Sequence, residues 1–253
     1  LTHTLNEERN PVLSPNGKWV AFTRDNDLYA VEVASGREVR YTTDGSDVIK
    51  NGYASWVYYE EILGRGSNYR SFWWSPDSRY LAFFRYDDSS VPVYPLYDVR
   101  GKHGLQEMNR YPRAGDPNPE VSVGIVPVEG GMVVWAAFDP KDDQYFGTPF
   151  WRPDGSSLLV QWMPREQNVL KLYDIDLITG KKEEIYNEIQ PTWVVWIESL
   201  HWVKDGFMMI RDFDGWEQIY LHDSDGSLRQ KLTSGRMWDT KIIRVDEKSQ
   251  QVY

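Results

Sequence analysis

The sequence contains no cysteine among its 253 residues, which excludes disulfides, thiolate metal sites and a cysteine nucleophile. It also lacks any run approaching the roughly 20 apolar residues that a membrane helix needs, so we expect no membrane-spanning segment. Basic residues are scarce, with 28 Lys and Arg against 38 Asp and Glu and a net charge of −10. A surface of that sign repels nucleic-acid phosphates, and we expect no nucleic-acid partner.

Groups that carry out covalent catalysis are also missing. The Gly-x-Ser-x-Gly elbow that holds a serine nucleophile occurs nowhere, and Gly64-Arg65-Gly66-Ser67 is not one. Histidines number four, in strand or loop contexts without a Ser–Asp constellation around them: His3, His103, His201 and His222. We therefore expect them to be surface or structural residues, and we expect no catalytic residue, no metal and no cofactor in this chain.

What the sequence does contain is a recurring four-residue turn. It reads Ser-Pro-Asn-Gly at 14–17, Ser-Pro-Asp-Ser at 75–78, Arg-Pro-Asp-Gly at 152–155 and, degraded, Val-Lys-Asp-Gly at 203–206. Proline presets the first turn angle and glycine accepts a positive φ, so each tetrad predicts the tip of a hairpin. A strand–turn–strand unit repeated in this way indicates a propeller or a solenoid.

A second strand, a glycine turn and polar β-formers follow most tetrads, which is the order of a four-stranded antiparallel blade. Aromatic residues make up 15% of the chain, with 12 Trp and 16 Tyr, and flat rings suit packed sheet faces. The sequence therefore predicts an all-β fold, a β-propeller of four-stranded antiparallel blades. We expect strands near residues 19–22, 28–31, 80–85, 158–162, 170–174, 207–211 and 218–222.

Two insertions interrupt the repeat. The first, near 44–71, places Glu60 and Glu61 side by side in an aromatic and apolar setting. These acids fit the first turn of a short helix, where they interact favourably with its dipole. They equally fit a carboxylate pair that binds a cation such as a primary ammonium or a metal. The second insertion, 87–119, is dense in Pro and Gly, which excludes a regular helix there.

The first insertion resembles a known family. The run Trp56-Val57-Tyr58-Tyr59-Glu60-Glu61 is similar to the W-V-Y-x-E-E motif of the N-terminal propeller domain in the dipeptidyl peptidase IV family of serine exopeptidases. The likeness continues through Trp-Trp-Ser-Pro-Asp at 73–77 and Tyr-Pro-Arg-Ala-Gly-Asp-Pro-Asn-Pro at 111–119, then through Asp-Gly-Trp-Glu-Gln-Ile-Tyr-Leu at 214–221. The ordered combination covers essentially the whole chain.

The resemblance implies an eight-bladed propeller that caps an α/β-hydrolase domain. Residues 1–253 would be about four to five blades of it, with the catalytic domain absent from this chain and the chain alone inactive. Glu60 and Glu61 would bind the free α-ammonium of a peptide. They would thereby fix cleavage after the second residue, usually Pro or Ala, in a full-length serine-type dipeptidyl peptidase.

Two alternatives stay open. Within the family, a tripeptidyl aminopeptidase would set the same anchor for a longer peptide. Outside it, a non-enzymatic propeller scaffold with such repeats would bind protein partners. A hydrolase elbow downstream of Tyr253 would favour the peptidase. From the habit of the family, and from the absence of Asn-x-Ser/Thr sequons, we expect a bacterial periplasmic or cell-surface location.

Two further expectations concern apolar side chains. The second insertion should leave its blade as an extended arm, which in the resembled family contributes to a homodimer interface. Its exposed residues would then be Val91, Val93, Tyr94, Leu96 and Tyr97.

Farther along the chain, Trp193 and Trp196 follow a proline at a blade junction. The more favoured interpretation is that both rings pack in the core between blades. The alternative is an aromatic wall beside the substrate.

Overall fold

The computed structural model describes residues 2–236 and 238–253. Every strand pairing in it is antiparallel, and four sheets of four or five strands follow one another along the chain. We call these sheets blades 1 to 4. The helical segments of the described residues are a π-helical turn, Tyr58–Ile62, and a 3-10 turn, Arg65–Ser67. No helix in the described chain is both long enough and apolar enough to cross a bilayer.

Blades 1 and 2 come from the first half of the chain. Blade 1 contains β1 (Glu8–Leu13), β2 (Trp19–Arg24), β3 (Asp27–Glu32) and β4 (Glu38–Arg40), paired in that order. The next seven strands are β5 (Ile49–Asn51), β6 (Phe72–Trp74), β7 (Tyr80–Asp87), β8 (Val93–Asp98), β9 (Leu105–Arg110), β10 (Glu120–Pro127) and β11 (Val134–Trp135). In blade 2, β5 and β6 share one edge of β7, and β10 and β11 follow on its other side. Strands β8 and β9 pair only with each other.

Blades 3 and 4 repeat the plan. The strands of blade 3 are β12 (Gln144–Phe146), β13 (Phe150–Trp151), β14 (Ser157–Pro164), β15 (Val169–Asp176) and β16 (Lys182–Ile189). Those of blade 4 are β17 (His201–Val203), β18 (Gly206–Arg211), β19 (Gln218–Asp223) and β20 (Leu228–Lys231). A separate pair, β21 (Val245–Asp246) and β22 (Gln251–Val252), follows. All seven strands expected from the sequence lie within β2, β3, β7, β14, β15, β18 and β19.

The hydrophobic core lies between blades. In β7, Leu81, Ala82, Phe83 and Phe84 are all fully buried, although successive side chains of a strand point to opposite faces. Leu81 and Phe83 belong to the cluster between blades 1 and 2, whereas Ala82 and Phe84 belong to the cluster between blades 2 and 3. A third cluster joins blades 3 and 4. Central strands therefore read as continuous apolar runs because each is covered on both faces.

The repeated tetrads form hairpin tips that touch from blade to blade. In the first three tetrads the fourth residue has positive φ: 72° at Gly17, 61° at Ser78 and 70° at Gly155. The hydroxyl of Ser78 accepts a hydrogen bond of 3.0 Å from the backbone N–H of Asn16 in the preceding tetrad. A Cβ at Gly155 would lie 2.5 Å from the Asp77 carboxylate, so the next two tetrads are also in contact. The turn that identifies the repeat thus also joins neighbouring blades.

The expectation for the two tryptophans is only half right. Trp196 packs, partly buried, against the core between blades 3 and 4. Trp193 is 57% exposed, so its expected place in that core is wrong. Val194 and Ile197 are the buried residues of this irregular segment. Without a regular strand at 190–200, no strand period decides which side chains face inward, and the smaller aliphatic residues take the interior positions.

The second insertion forms the expected arm, a two-stranded ribbon of β8 and β9. Val93, Tyr94 and Tyr97 are exposed on it, and Leu96 is half-buried. The expected exposure of Val91 is wrong, because this side chain is buried at the base of the arm. There its carbonyl accepts a hydrogen bond from the Arg110 guanidinium. Val91 therefore belongs to the attachment of the arm and not to its free surface.

Candidate functional site

The two glutamates lie on the helical turn Tyr58–Ile62, which we call the acidic turn. Single π-helical turns of this kind are rare and occur often at functional sites. The turn begins at Tyr58, which is fully buried and has its ring edge-on to Tyr86 at 4.9 Å between centroids. The Tyr58 hydroxyl accepts a hydrogen bond of 3.1 Å from the backbone N–H of Phe146 in blade 3. Burial raises the pKa of Tyr58 well above its ordinary value, so the phenol stays neutral.

A stack of tyrosines supports the other side of the acidic turn. The rings of Tyr59 and Tyr69 lie parallel with centroids 3.8 Å apart, and Tyr53 stacks on Tyr69 at 5.0 Å. The Arg9 guanidinium lies over the Tyr53 ring at 5.2 Å. Burial raises the pKa of Tyr69 to about 12, so this ring too is neutral at physiological pH. The acidic turn is thus held between a buried phenol and an aromatic stack.

The two acids are not equivalent. The side chain of Glu60 is only 16% exposed, and its Oε2 accepts a hydrogen bond of 2.7 Å from Nε of Arg65. Glu61 is exposed and has no hydrogen-bond or ion-pair partner among the described residues. The hydrogen bond to Glu60 raises the pKa of Arg65 above its ordinary value, so that guanidinium stays charged. One carboxylate is neutralised by the chain itself, while the other faces solvent.

Both carboxylates open into one pocket of about 460 Å³, which we call the acid pocket. Its remaining lining residues are Trp56, Arg65, Tyr94, Leu96, Tyr111 and Arg113.

Three of these lining residues form an aromatic wall. The Tyr111 ring meets Trp56 edge-on at 5.9 Å and lies 5.8 Å from Tyr94. Tyr94 belongs to β8, so the arm contributes to the wall. The pocket thus combines two carboxylates with three aromatic side chains, and both kinds of group can attract cations.

The segment that follows the arm is attached to blade 3. The Asn118 side-chain amide donates to the hydroxyl of Tyr145 at 2.7 Å. The guanidinium of Arg165 donates to the carbonyl of Asp116 at 2.9 Å. Since Tyr58 also contacts blade 3, both the acidic turn and the segment after the arm are attached to blade 3.

The histidines do not form a catalytic triad. Nε2 of His201 lies 3.2 Å from the Ser199 hydroxyl, yet within residues 2–236 and 238–253 no carboxylate is hydrogen-bonded to its other ring nitrogen. His222 is buried and stacks on Phe207, and its Nδ1 lies 2.9 Å from the carbonyl of Gly226. Burial lowers the pKa of both imidazoles. In the described chain, no group of three or more His, Asp or Glu is placed to hold a metal.

The sequence motif locates both glutamates and their short helical turn, and the structure brings them into one pocket. The sequence motif does not reveal the ion pair between Glu60 and Arg65 or the contribution of the arm to the aromatic wall. It also misses the contact of Tyr58 with Phe146, 88 positions away. The sequence gives one signal that points to a partner for Glu60, which is the positively charged Arg65 a few positions after it.

Comparison with known proteins identifies the family of the chain. The family model described as the dipeptidyl peptidase IV (DPP IV) N-terminal region matches residues 1–253. Dipeptidyl peptidase 4 of Arthroderma otae is 30% identical over 257 residues, which cover 95% of this chain and 32% of that protein. Dipeptidyl peptidase 4 of Trichophyton rubrum is 29% identical with the same coverage. The chain therefore spans about a third of the length of the curated relatives that it matches.

A comparison with solved structures supports the same family. The crystal structure of Porphyromonas gingivalis dipeptidyl peptidase 4 is similar with a TM-score of 0.86 and 31% sequence identity, over 99% of this chain and 36% of that one. The likeness confirms the predicted all-β class of four-stranded antiparallel propeller blades. Because the family model and the structural match both extend over nearly the whole chain, the chain belongs to the dipeptidyl peptidase IV N-terminal region family.

Proposed function

We propose that this chain is the substrate-anchoring and access-gating part of a serine dipeptidyl peptidase. Glu60 and Glu61 bind the free N-terminal ammonium of peptides that are cleaved after a penultimate Pro or Ala. The observation that carries the proposal is that both carboxylates open into a single aromatic-walled pocket. The relatives named as dipeptidyl peptidases support the reaction class.

The chemistry of the pocket suits an ammonium group. A primary ammonium has three N–H donors, and hydrogen bonds between opposite charges are short and strong. Glu61 has free acceptor oxygens, and Glu60 is held half-buried beside it. The faces of Trp56, Tyr94 and Tyr111 add cation–π attraction for the same charge. An acetylated N-terminus carries neither the charge nor all three donors.

Anchoring the N-terminus acts on catalysis through position. A peptide held by its first residue presents a fixed carbonyl to a nucleophile elsewhere in the full-length protein. Orientation of this kind contributes several kcal/mol to lowering a barrier. We place the catalytic α/β-hydrolase domain outside residues 1–253 and treat these residues as a partial propeller.

A bacterial periplasmic or cell-surface location stays a prediction, which fractionation of the source cells would test.

The test uses Glu60→Gln and Glu61→Gln in the full-length protein, because Gln keeps the shape and removes the charge. We expect kcat/KM for a Xaa-Pro substrate to fall at least tenfold in each variant, or about 1.4 kcal/mol. Glu183→Gln, at an exposed position of β16, is the matched control and should behave like the parent. The parent should cleave the N-acetylated substrate poorly. Parent-like Gln variants, or equal cleavage of the acetylated substrate, would refute the anchor.

We also propose that the arm binds a second copy of the protein. Its ribbon leaves large apolar side chains exposed: Val93, Tyr94, Tyr97, Val99, Leu105 and Met108. Val93, Tyr97 and Met108 share one face of the ribbon, and apolar side chains grouped on one face commonly mark a contact with another protein. Deletion of the arm from the full-length protein should halve the molar mass measured by light scattering. Tyr97→Glu with Met108→Glu keeps the ribbon and should do the same, whereas an unchanged dimer in both would contradict the proposal.

A further inference from the structure

The acid pocket already contains a cation supplied by the chain. Nε of Arg65 lies 2.7 Å from Oε2 of Glu60, so the guanidinium occupies one of the two carboxylate oxygens that an incoming ammonium could use. Glu60 is only 16% exposed, whereas the side chain of Arg65 is 74% exposed. The guanidinium therefore covers the more buried acid from the solvent side. Glu61, in contrast, is open.

The surroundings of Arg65 allow its side chain to move away. Gly64 and Gly66 flank it, and apart from their chain neighbours no atom of the described residues lies within 4 Å of where a Cβ would stand at either position. The φ of Gly64 is +76°, so this residue ends the acidic turn and starts a separate short turn that carries Arg65. In the described chain, the side chain of Arg65 has Glu60 as its one hydrogen-bond partner. Its displacement would break that hydrogen bond and no other.

The second arginine of the pocket is placed differently. The Arg113 guanidinium lies over the Tyr94 ring at 5.9 Å, and its Nε lies 3.6 Å from the Asp116 carboxylate. It contacts the aromatic wall and an acid outside the pocket. Of the two cations, Arg65 alone is bonded to the acid pair within the part of the chain that the structure describes.

We propose that Arg65 is a resident counter-ion that competes with the substrate ammonium for Glu60 and so sets the affinity for a free N-terminus. This inference rests on the proposed function. Two neighbouring carboxylates repel each other when neither is neutralised. With Arg65 bound, Glu60 is compensated while the pocket is empty. Glu61 receives the ammonium first, and the ammonium then replaces the guanidinium at Glu60, so the charge balance at Glu60 is preserved.

The test measures competitive inhibition of the full-length protein by the dipeptide Ala-Pro, because an inhibition constant reports binding without the chemical step. Removing the competitor in Arg65→Met should lower the inhibition constant about two- to fivefold, the range expected for an exposed ion pair. Arg65→Lys keeps the charge but not the planar guanidinium and should fall between parent and Arg65→Met. N-acetyl-Ala-Pro should bind all three proteins equally, since it has no ammonium to compete.

Arg79→Met is the matched control for the loss of one exposed positive charge. Arg79 donates through Nε to the half-buried carboxylate of Asp77 at 2.5 Å, the same arrangement outside the acid pocket. Ala-Pro should inhibit this variant with the same inhibition constant as the parent. In a protein that already carries Glu60→Gln, adding Arg65→Met should leave the inhibition constant for Ala-Pro unchanged, because the competition requires the Glu60 carboxylate.

The outcomes separate the two proposals. If the parent binds Ala-Pro and its acetylated form equally, the ammonium anchor itself is wrong. If the parent discriminates but Arg65→Met binds Ala-Pro as the parent does, or more weakly, Arg65 is not a competitor and only this inference is overturned. An effect of Arg65→Met that persists without the Glu60 carboxylate would overturn it as well, since Arg65 would then act through the general field of the pocket.

Discussion

A buried ion pair joins blades 3 and 4, and its removal should be costly. Glu188 of β16 and Arg211 of β18 are 3% and 2% exposed, and both Nε and Nη2 of the guanidinium lie 2.7 Å from Oε2 of the carboxylate. Tyr186 and Gln190 also donate to Glu188. Arg211 donates to the carbonyl of Val195. Each charge has its partners, so removing either one leaves a buried ion.

The two single variants should differ in cost. Arg211→Met leaves a carboxylate with two donors, and a carboxylate can take up a proton. We expect the free energy of unfolding to fall by about 3 kcal/mol. Glu188→Leu leaves a guanidinium that cannot lose its charge and keeps mainly the Val195 carbonyl. Here we expect a fall of about 4–5 kcal/mol. Either is a large part of the roughly 5–15 kcal/mol that stabilises a typical domain.

The double variant tests the reasoning. With Glu188→Leu and Arg211→Met together, no buried charge remains, and apolar side chains of similar volume replace the pair. We expect a free energy of unfolding within about 1 kcal/mol of the parent, since such replacements are often neutral. Urea unfolding followed by tryptophan fluorescence supplies the midpoints and slopes. If the double variant costs the sum of the two single variants, the ion pair is not a coupled unit and the argument fails.

Three further predictions concern the tetrads, the acidic turn and a buried histidine. Ser78→Ala should lower the free energy of unfolding by about 1 kcal/mol through loss of the bond from Asn16, whereas Ser78→Gly, which also relieves the positive φ, should be nearly neutral in the same urea titration. Tyr58→Phe leaves the buried N–H of Phe146 without its acceptor, so we expect the free energy of unfolding to fall by about 1–3 kcal/mol. The KM for free-amine peptides should also rise. An unchanged KM would show that the acidic turn does not depend on this hydrogen bond. Burial lowers the pKa of His222 below 6.5, so the unfolded chain binds the proton more readily and stability should fall as the pH drops below about 6.5. In equilibrium unfolding from pH 8 to pH 5, the free energy of unfolding should fall less steeply in His222→Gln than in the parent. An identical pH dependence in the two proteins would contradict this.

The repeat could be predicted because its information is local. In the first three tetrads, proline and a residue that accepts positive φ define the hairpin tip within four positions, and the flanking apolar runs define the strands. Even Ser78, in place of glycine, keeps the same backbone at φ 61°. The burial of single side chains in irregular segments could not be predicted in this way. Trp193 and Val91 lie where no strand period decides which side faces inward, and both expectations were wrong.

The acid pair was equally accessible to sequence reasoning, but its environment was not. Glu60 and Glu61 lie in a recognisable motif, and adjacency in sequence guarantees adjacency in space. The groups that line their pocket come from both insertions of blade 2, and the turn that carries them is supported by blade 3. Tyr58 meets a backbone N–H 88 positions away, and Tyr94 reaches the acid pocket only because β8 folds back beside it. Such contacts follow from the order in which blades pack, which no local pattern records.

The placement of the acidic turn at a junction links anchoring to the packing of the propeller. The turn is inserted in blade 2, yet its buried phenol is bonded to blade 3, and the loop after the arm is bonded to blade 3 through Asn118 and Arg165. A displacement of blade 3 against blade 2 would therefore disturb both the acidic turn and the loop after the arm, whose first residue, Tyr111, belongs to the aromatic wall. Misplacement by about 1 Å is enough to weaken positioning strongly. Changes that loosen this junction should impair binding of the N-terminus without altering either glutamate.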